Sequence, residues 1–515
     1  MSLLTTAIDY TNGRPHIGHA YEKVLTDALA RYQRLKGKDT YFLTGVDQHG
    51  QKVQQSAQKQ GIEPQEFVDG ITSQFLSLWD KLGISYDAWA ATTDQLHKSC
   101  VQGILQKLWE EGWFYKSQQT GFYSVRQEQF VTDKERGPEG EFGSEWGEVI
   151  EIAEENYYFK LAEHRDWLLN LIDTRLAAGN PLVLPEFRNA ELRHAVEKLS
   201  GDLCISRPKE RLSWGIEFPF DPDFVTYVWF DALTNYISFS GYESTSPEWS
   251  DDFKSRWPAL HVIGKDILVP PHGVYWPIML KALGFPDDQI PTLLVHGWWN
   301  IDGSKMSKSA GNVIDPFELI ELYGVDATRY YLLSDISTGR DADFNNERLL
   351  LRYNTELANS IGNLLNRSLS MAKRYRDSKV RKLSEPGVSN FISKKVSEYG
   401  AAMDTYQVHT AISAINDIAV RCNTYVEEQA PWKLAKDPEA AERLDTVLYT
   451  LAESLRILSI LLEPIIPQAA AKIREQLCWD EAPRINALQW GGITDAHTLG
   501  KPEPVFPRLE TPAAE

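Results

Sequence analysis

The order strand, turn, helix, strand over residues 3–47 restricts this chain more than any other feature. Residues 3–10 (LLTTAIDY) are an apolar, β-branched run, and Asn12-Gly13-Arg14-Pro15 follows as a turn. A helix then starts near His16, with Ala20, Val24, Ala28, Leu29 and Tyr32 at helical spacing, and residues 39–47 (DTYFLTGVD) read as the next strand. Two strands joined through a helix lie parallel, since only a crossover brings the chain back to the starting end of the sheet. The expectation is an α/β fold with a doubly wound parallel sheet. Strand signals return only at 260–265 and 292–298, so the two sheet halves are separated by an insertion, read as 116–222. Within it, residues 121–160 carry ten acidic and four basic side chains, and aromatics and glycines punctuate the stretch. A small β-rich module is the natural reading.

From about 351 the pattern turns helical: Leu357, Ile361, Leu364 and Leu365, then Ala411, Ile412, Ile415, Ile418 and Ala419, then Leu448 to Leu462. Gly is rare there and helix formers are common, which predicts an all-α bundle over 351–500. The Pro- and Glu-rich residues 501–515 are expected to form a poorly ordered tail. The chain of 515 residues has a net charge of −19, which excludes a general coat for polyanions or membrane surfaces. Residues 351–400 run against that charge, with ten Lys/Arg and four Asp/Glu. From charge alone, this window is either a solvated helix face or an RNA contact. Cys100, Cys204, Cys422 and Cys478 include no close pair, which excludes a disulfide scaffold and a cysteine-based metal site. No basic leader precedes the first strand, and the most apolar segment, Leu455–Pro467, is broken by Arg456, Glu463 and Pro464. The expectation is a soluble cytoplasmic protein without a membrane span.

Two short motifs carry the chemistry. His16-Ile17-Gly18-His19 opens the first helix, where free N–H groups and a partial positive charge favour phosphate. The two imidazoles share one side of the helix, and Gly18 lets a flat ring or a backbone approach closely. The tetrapeptide reads as a nucleoside triphosphate site, or more plainly as two histidines capping a helix. Lys305-Met306-Ser307-Lys308-Ser309 lies after the last strand, flanked by Asp302-Gly303 and Gly311-Asn312. Two ammonium groups between small residues suit a loop that closes on a polyphosphate. Alone, it could equally be a solvated basic loop.

The pairing of these motifs resembles class I aminoacyl-tRNA synthetases, and the rest of the chain resembles the methionyl-tRNA synthetases. The similar blocks include Tyr10-Thr11-Asn12-Gly13, Thr44-Gly45-Val46-Asp47-Gln48-His49-Gly50, Tyr227-Val228-Trp229-Phe230-Asp231-Ala232, Ile263-Gly264-Lys265-Asp266-Ile267 and His296-Gly297-Trp298. Gly362-Asn363-Leu364-Leu365-Asn366-Arg367 and Glu428-Gln429-Ala430-Pro431-Trp432 extend the likeness to the helical region. The resemblance implies a Rossmann catalytic domain in two halves (1–115 and 223–300) around a connective insertion (116–222). A stem-contact segment (301–350), an α-helical anticodon domain (351–500) and the tail (501–515) follow. It implies ligation of methionine to its tRNA with ATP and Mg2+, through a methionyl-adenylate, by a protein read as a monomer.

By the same resemblance, His16, His19, Lys305 and Lys308 are catalytic. Gly13, Gly18, Gly264 and Asp266 join them at ATP. Ile8, Tyr10, Trp229, Ala232, Leu233, Tyr236, His272 and Trp276 line the methionine pocket, and Asp47 receives the substrate ammonium. Ile8 and Leu233 stand where relatives often carry Leu and Pro. The chemistry is compatible: a thioether offers only a weak acceptor, so it needs an apolar, polarizable cleft. Without the resemblance, Trp229, Tyr236 and Trp276 read as ordinary core, and Asp47 equally as a strand-end cap or a ligand carboxylate. Asn363, Arg367, Pro431 and Trp432 are the implied anticodon readers, and single-stranded bases do stack on aromatic rings and pair with amide and guanidinium edges. Trp432 alone could equally be bundle packing.

The chain departs from many relatives in the insertion, where those carry zinc knuckles. Ser124 and Gln127 occupy the expected cysteine positions, and residues 121–160 contain neither cysteine nor histidine. No structural zinc is expected, because a closed zinc site needs thiolate or imidazole. The module is also too short for a large hydrolytic editing domain.

Overall fold

The computed structural model describes residues 2–124, 129–131, 135–137, 140–143, 146–301, 303–306, 313–383 and 385–510. The chain opens with β1 (Ser2–Thr6), β2 (Asp9–Tyr10), α1 (Ile17–Leu35), β3 (Thr40–Asp47), α2 (Gln51–Gln60), α3 (Pro64–Leu82), β4 (Ala88–Ala91) and α4 (Gln95–Glu110). After the insertion come α7 (Val228–Ser238), α8 (Asp251–Arg256), β13 (Ala259–Gly264), α9 (Trp276–Ala282) and β14 (Thr292–His296). The insertion itself holds β5 (Phe114–Ser124), β6 (Gln129–Val131), β7 (Val149–Phe159), α5 (Arg165–Ala177), β8 (Val183–Leu184), α6 (Arg188–Glu197), β9 (Leu203–Cys204), β10 (Ser206–Pro208), β11 (Glu217–Phe218) and β12 (Asp221–Thr226).

The main sheet has seven strands in the order β2-β3-β1-β13-β14-β8, with β4 also on β3, and its pairings are parallel. Its C-terminal strand ends therefore share one edge, where ligands of open α/β sheets bind. The run 3–10 is two strands rather than the expected one. After Thr6 the chain leaves β13, and the Ala7 carbonyl accepts from Lys23 Nζ (3.1 Å) before β2 resumes along β3. The run 292–298 likewise stops at His296, and Trp299 begins a different small sheet, β15 (Trp299–Ile301), β16 (Ser304–Lys305) and β17 (Ala342–Asp343). The insertion is β-rich as read, with two small antiparallel sheets, but α5 and α6 add a helical layer that the sequence reading missed. Its aromatics Tyr157, Phe218, Phe220 and Phe224 cluster with ring centroids 5.1–5.5 Å apart from Tyr157.

Two short helices, α10 (Pro316–Tyr323) and α11 (Val325–Ser334), lead into the helical body. That body contains α12 (Asn346–Arg352), α13 (Asn363–Arg376), α14 (Pro386–Asp404), α15 (Val408–Gln429), α16 (Pro431–Leu434), α17 (Ala441–Leu462) and α18 (Pro467–Gln476). α17 is buried around its whole circumference from Leu444 to Leu462, which makes it the central helix of the bundle. The expected disordered tail is corrected: Val505 and Phe506 are buried, and Leu509 exchanges two hydrogen bonds with Asn354 (2.9 and 3.0 Å). Proline-rich chain can be held in place when its apolar side chains find a groove. Residues 511–515 lie outside the described set.

One buried ion pair joins the two bodies. Arg329 on α11 and Asp27 on α1 are both fully buried, with Nη2 2.7 Å from Oδ2. The guanidinium also donates to the carbonyls of Ile465 (2.9 Å), Leu82 (3.1 Å) and Pro464 (3.3 Å). Asp27 accepts further from Arg31 Nε (2.8 Å) and from Ser85 N (2.8 Å) and Oγ (2.6 Å). Burial alone would raise the Asp27 pKa, but Arg329, Arg31 and Ser85 outweigh it and hold the carboxyl below its ordinary range. Arg329→Met should cost ~3–5 kcal/mol, because it leaves a buried carboxylate without its main partner. Urea unfolding measures this, and a loss of under about 1 kcal/mol would contradict the role.

Candidate active site

A cavity of about 520 Å³ opens at the C-terminal edge of the sheet. Its walls come from β2, the N-terminus of α1, the end of β3, α7, and the segments after β13 and β14.

On one side is the start of α1. His16 is its N-cap: its Nδ1 accepts from Gly18 N (3.1 Å), while His16 N donates to His19 Nδ1 (3.1 Å). Both Nδ1 atoms are thus acceptors, so each ring proton sits on Nε2, as a donor. The rings stack with centroids 3.7 Å apart. A Cβ on residue 18 would lie 2.9 Å from the His16 ring, so this cap requires glycine. Beneath lies a buried ionic network. Lys23 Nζ, fully buried, meets Asp9 Oδ1 (2.6 Å) and Glu22 Oε1 (2.9 Å), and Glu22 Oε2 meets His296 Nε2 (3.0 Å). Burial pushes Asp9 up to about 7 against the pull of Lys23. Glu22 is lowered, because Lys23 and His296 outweigh its burial. Next to this wall, Asp266 Oδ1 accepts from Trp298 Nε1 (3.1 Å).

The rest of the lining is largely apolar. Ile8, Tyr10, Trp229, Ala232, Leu233 and Tyr236 contribute to it, and two buried histidines in or behind it are hydrogen-bonded. His272 Nδ1 donates to Ile267 O (2.9 Å), and its Nε2 accepts from Tyr236 OH (2.7 Å). Burial lowers His272 to about 4, so the ring is neutral at pH 7. His261 is also held neutral by burial, between Thr5 Oγ1 (2.6 Å) and Trp276 Nε1 (3.0 Å). A wall of aromatic rings whose polar atoms are already paired offers little to a polar side chain and good packing to a polarizable apolar one. Asp47 closes this side at the end of β3, 5% exposed, with Oδ1 3.4 Å from His49 N.

Family models place this geometry. One described as "tRNA synthetases class I (M)" matches residues 2–141 and 144–369, and one described as "Anticodon binding domain of methionyl tRNA ligase" matches residues 381–513. The chain is 42% identical to the methionine–tRNA ligase of Deinococcus radiodurans, over 97% of this chain and 74% of that one. It is 40% identical to that of Bacillus subtilis, over 98% and 78%. The chain belongs to the methionyl-tRNA synthetase family. Among solved structures, Mycobacterium tuberculosis methionyl-tRNA synthetase in complex with methionyl-adenylate superposes with a TM-score of 0.91 at 36% identity, covering 98% of this chain and 99% of that one. Membership in this class I synthetase family gives the chain its function: ATP-dependent ligation of methionine to its tRNA through a methionyl-adenylate.

Of the synthetase residues read from the sequence, Ile8, Tyr10, His16, Gly18, His19, Asp47, Trp229, Ala232, Leu233, Tyr236, Gly264, Asp266 and His272 line this one cavity. Trp276 does not line it: it is buried behind Tyr236, their ring centroids 5.8 Å apart. Gly13 is also absent from the lining. Lys308 lies outside the described residues, and of Lys305 only the backbone, in β16, is described. The sequence reading gave no role to Asp9, Glu22 or His296, the last quoted only within a motif block; Lys23 joins Asp9 to Glu22, and Glu22 meets His296 across the fold. In the helical body Asn363 and Trp432 are exposed, and the Arg367 guanidinium lies 5.9 Å from the Trp432 ring and 2.7 Å from Glu427. Pro431 is buried beneath them rather than on that surface.

Asp231, within the Tyr227–Ala232 block, is the hub behind the apolar lining. Fully buried, it bonds His49 Nδ1 (2.6 Å) and His97 Nε2 (2.9 Å), tying α7 to α4 and to the turn after β3. Burial alone would raise its pKa, yet the two imidazoles hold it well below its ordinary value of 3.8. A carboxyl depressed in the folded state contributes stability that is present above its unfolded pKa and is lost as pH falls below it. Asp231→Asn should therefore lower stability at neutral pH and flatten the loss of stability on acidification below about pH 5. Denaturation midpoints across that range test this, and an unchanged acid slope would contradict it.

Proposed function

We propose that the two walls of the cavity divide the adenylation reaction between them. The apolar wall takes the methionine side chain, with Tyr236, Trp229, Ala232, Leu233, Ile8, Tyr10 and His272 around the thioether and Trp276 supporting Tyr236 from behind. Asp47 holds the ammonium. ATP lies along the start of α1, with Gly13, Gly18, Gly264 and Asp266 about the nucleoside. The methionine carboxylate then attacks the α-phosphorus and expels pyrophosphate. His16 and His19 donate Nε2–H to the α-phosphate oxygens as charge builds there, and Lys305 and Lys308 neutralise the departing pyrophosphate. In the second step a hydroxyl of the terminal tRNA ribose attacks the adenylate carbonyl and AMP leaves. No protein nucleophile takes part, so rate comes from positioning and charge. The observation that supports this most is the shared cavity: donors suited to phosphate face an apolar pocket closed by a carboxylate.

Mg2+ enters this scheme as part of the ATP complex. Among the described residues no group of three His, Cys, Asp or Glu side chains could hold a metal ion. For the connective segment we propose a metal-free fold. Ser124 there donates to the Trp146 carbonyl (2.5 Å), and packing of Tyr123 and Tyr157 supplies the stability. The proposed organisation is the split Rossmann domain (1–115, 223–300), connective insertion (116–222), stem-contact segment (301–350) and anticodon domain (351–500), with Asn363, Arg367 and Trp432 reading the anticodon over the buried Pro431. The cytoplasm is the proposed site of action, since translation consumes the product. Among the described residues no helix is long and apolar enough to cross a membrane.

Two variants test the division together. Lys308→Ala should slow methionine-dependent ATP–pyrophosphate exchange by about a hundredfold or more. Trp432→Ala should leave exchange intact while weakening tRNA charging by ~1–3 kcal/mol. Exchange that survives Lys308→Ala, or falls with Trp432→Ala, would contradict these assignments.

A further inference from the structure

The second step requires an RNA end to reach the cavity, and the rim of the sheet carries a surface suited to it. The edge strand β8 runs parallel to β14, so the turn after β8 emerges beside the cavity. That turn puts Phe187 on the surface, 51% exposed. Two guanidinium groups lie near its ring, Arg188 at 5.3 Å and Arg340 at 5.4 Å from the ring centroid. Arg188 is braced by Gly339 O (2.9 Å) and Glu191 (2.8 Å).

Arg340 is joined to the cavity wall through its neighbour. Asp341 accepts from Trp298 N (2.9 Å) and from Lys265 Nζ (2.5 Å), and that ammonium sits 3.9 Å from the Trp298 ring centroid. Trp298 itself lines the cavity. The two segments approach so closely that no side chain fits between them, since a Cβ on Gly297 would lie 2.0 Å from Arg340 O. The result is a stripe of two rings and three cations, Trp298, Lys265, Arg340, Phe187 and Arg188, leading from the cavity to the outside.

Rings flanked by cations are what unpaired nucleotides require: every base has a face to stack, and every phosphate a charge to neutralise. Lys265 is paired with Asp341 and Arg188 with Glu191, so in a chain of net charge −19 it is Arg340 that offers the phosphate its cation. We infer that this stripe holds the single-stranded 3′ end of the tRNA, with a base stacked on Phe187 and its phosphates near Arg340, as the terminal ribose enters the cavity. The inference rests on the reaction proposed above and adds the path by which the RNA arrives.

Methionine-dependent exchange and tRNA charging, measured side by side on the full chain, separate the two. Phe187→Ala should lower kcat/KM for tRNA about tenfold with exchange unchanged, and Phe187→Tyr should restore it. Arg340→Gln should reduce the salt dependence of tRNA binding by a slope of about 0.7. Charging unaffected by Phe187→Ala would overturn the inference, as would a matching fall in exchange, which would make Phe187 a support of the cavity. Loss of a dimer on Phe187→Ala in sedimentation, with charging intact, would overturn it in favour of a second copy of the chain. No methionine-dependent exchange in the unsubstituted protein would remove the underlying reaction, a failure visible before any variant is made.

Discussion

The Asp27–Arg329 pair is the buried contact that ties α1, and with it the start of the cavity wall, to the helical body. Asp27 sits on the same helix that begins with His16 and His19, and Arg329 sits where the sheet domain gives way to the helical body. The guanidinium reaches Ile465 and Pro464 after α17 and Leu82 at the end of α3, so one side chain fixes three elements about α1. A buried pair of this kind adds little net stability compared with apolar packing, but it tolerates only one geometry. α1 is therefore held in orientation at its middle by the helical body and at its start by its own histidine cap.

The site follows a similar economy. Methionine offers no strong hydrogen-bonding group in its side chain, so a pocket for it gains nothing from free polar atoms and loses specificity by presenting them. The histidines behind the pocket are neutral and engaged with Thr5, Tyr236, Trp276 and the Ile267 carbonyl. The adjoining part of the lining has the opposite character, with Lys23, Glu22, Asp9 and His296 in one buried network. Asp231 lies behind the apolar wall and couples α7 to the turn that follows Asp47. The apolar part of the lining and the turn after Asp47 are thus mechanically linked.

Local order was legible in the sequence wherever one element dictated it. The parallel sheet followed from residues 3–47, because a helix between two strands leaves no other arrangement. The cap at His16 and the helical body after 351 followed from spacing. What escaped was non-local. The break after Thr6 exists because Lys23 claims the Ala7 carbonyl, and nothing within residues 3–10 announces that. α5 and α6 were hidden in a segment whose aromatics and glycines signalled strands. Residues 501–510 read as disordered from composition, yet Phe506 packs near Tyr353, their ring centroids 6.3 Å apart. Of the fully described methionine- and nucleotide-site residues named from the resemblance, those in motif blocks reach the cavity lining except Gly13, while Trp276 lies one layer behind it. Asp9 and Glu22 carry no motif of their own, and His296 stands in a block that says nothing of its partner Glu22, 274 residues away in sequence.

The central claim is that one cavity binds methionine and nucleotide together, as two parts of a single ligand. Calorimetric titration with a non-hydrolysable methionyl-adenylate analogue, its phosphate replaced by a sulfamate, tests this most directly. The joined ligand should bind about 10²–10⁴-fold more tightly than methionine or AMP alone, because the second half binds at the effective concentration set by the first. The analogue carrying a leucine side chain should be markedly weaker. Binding no tighter than that of either half, or equal binding of the leucine analogue, would contradict the account.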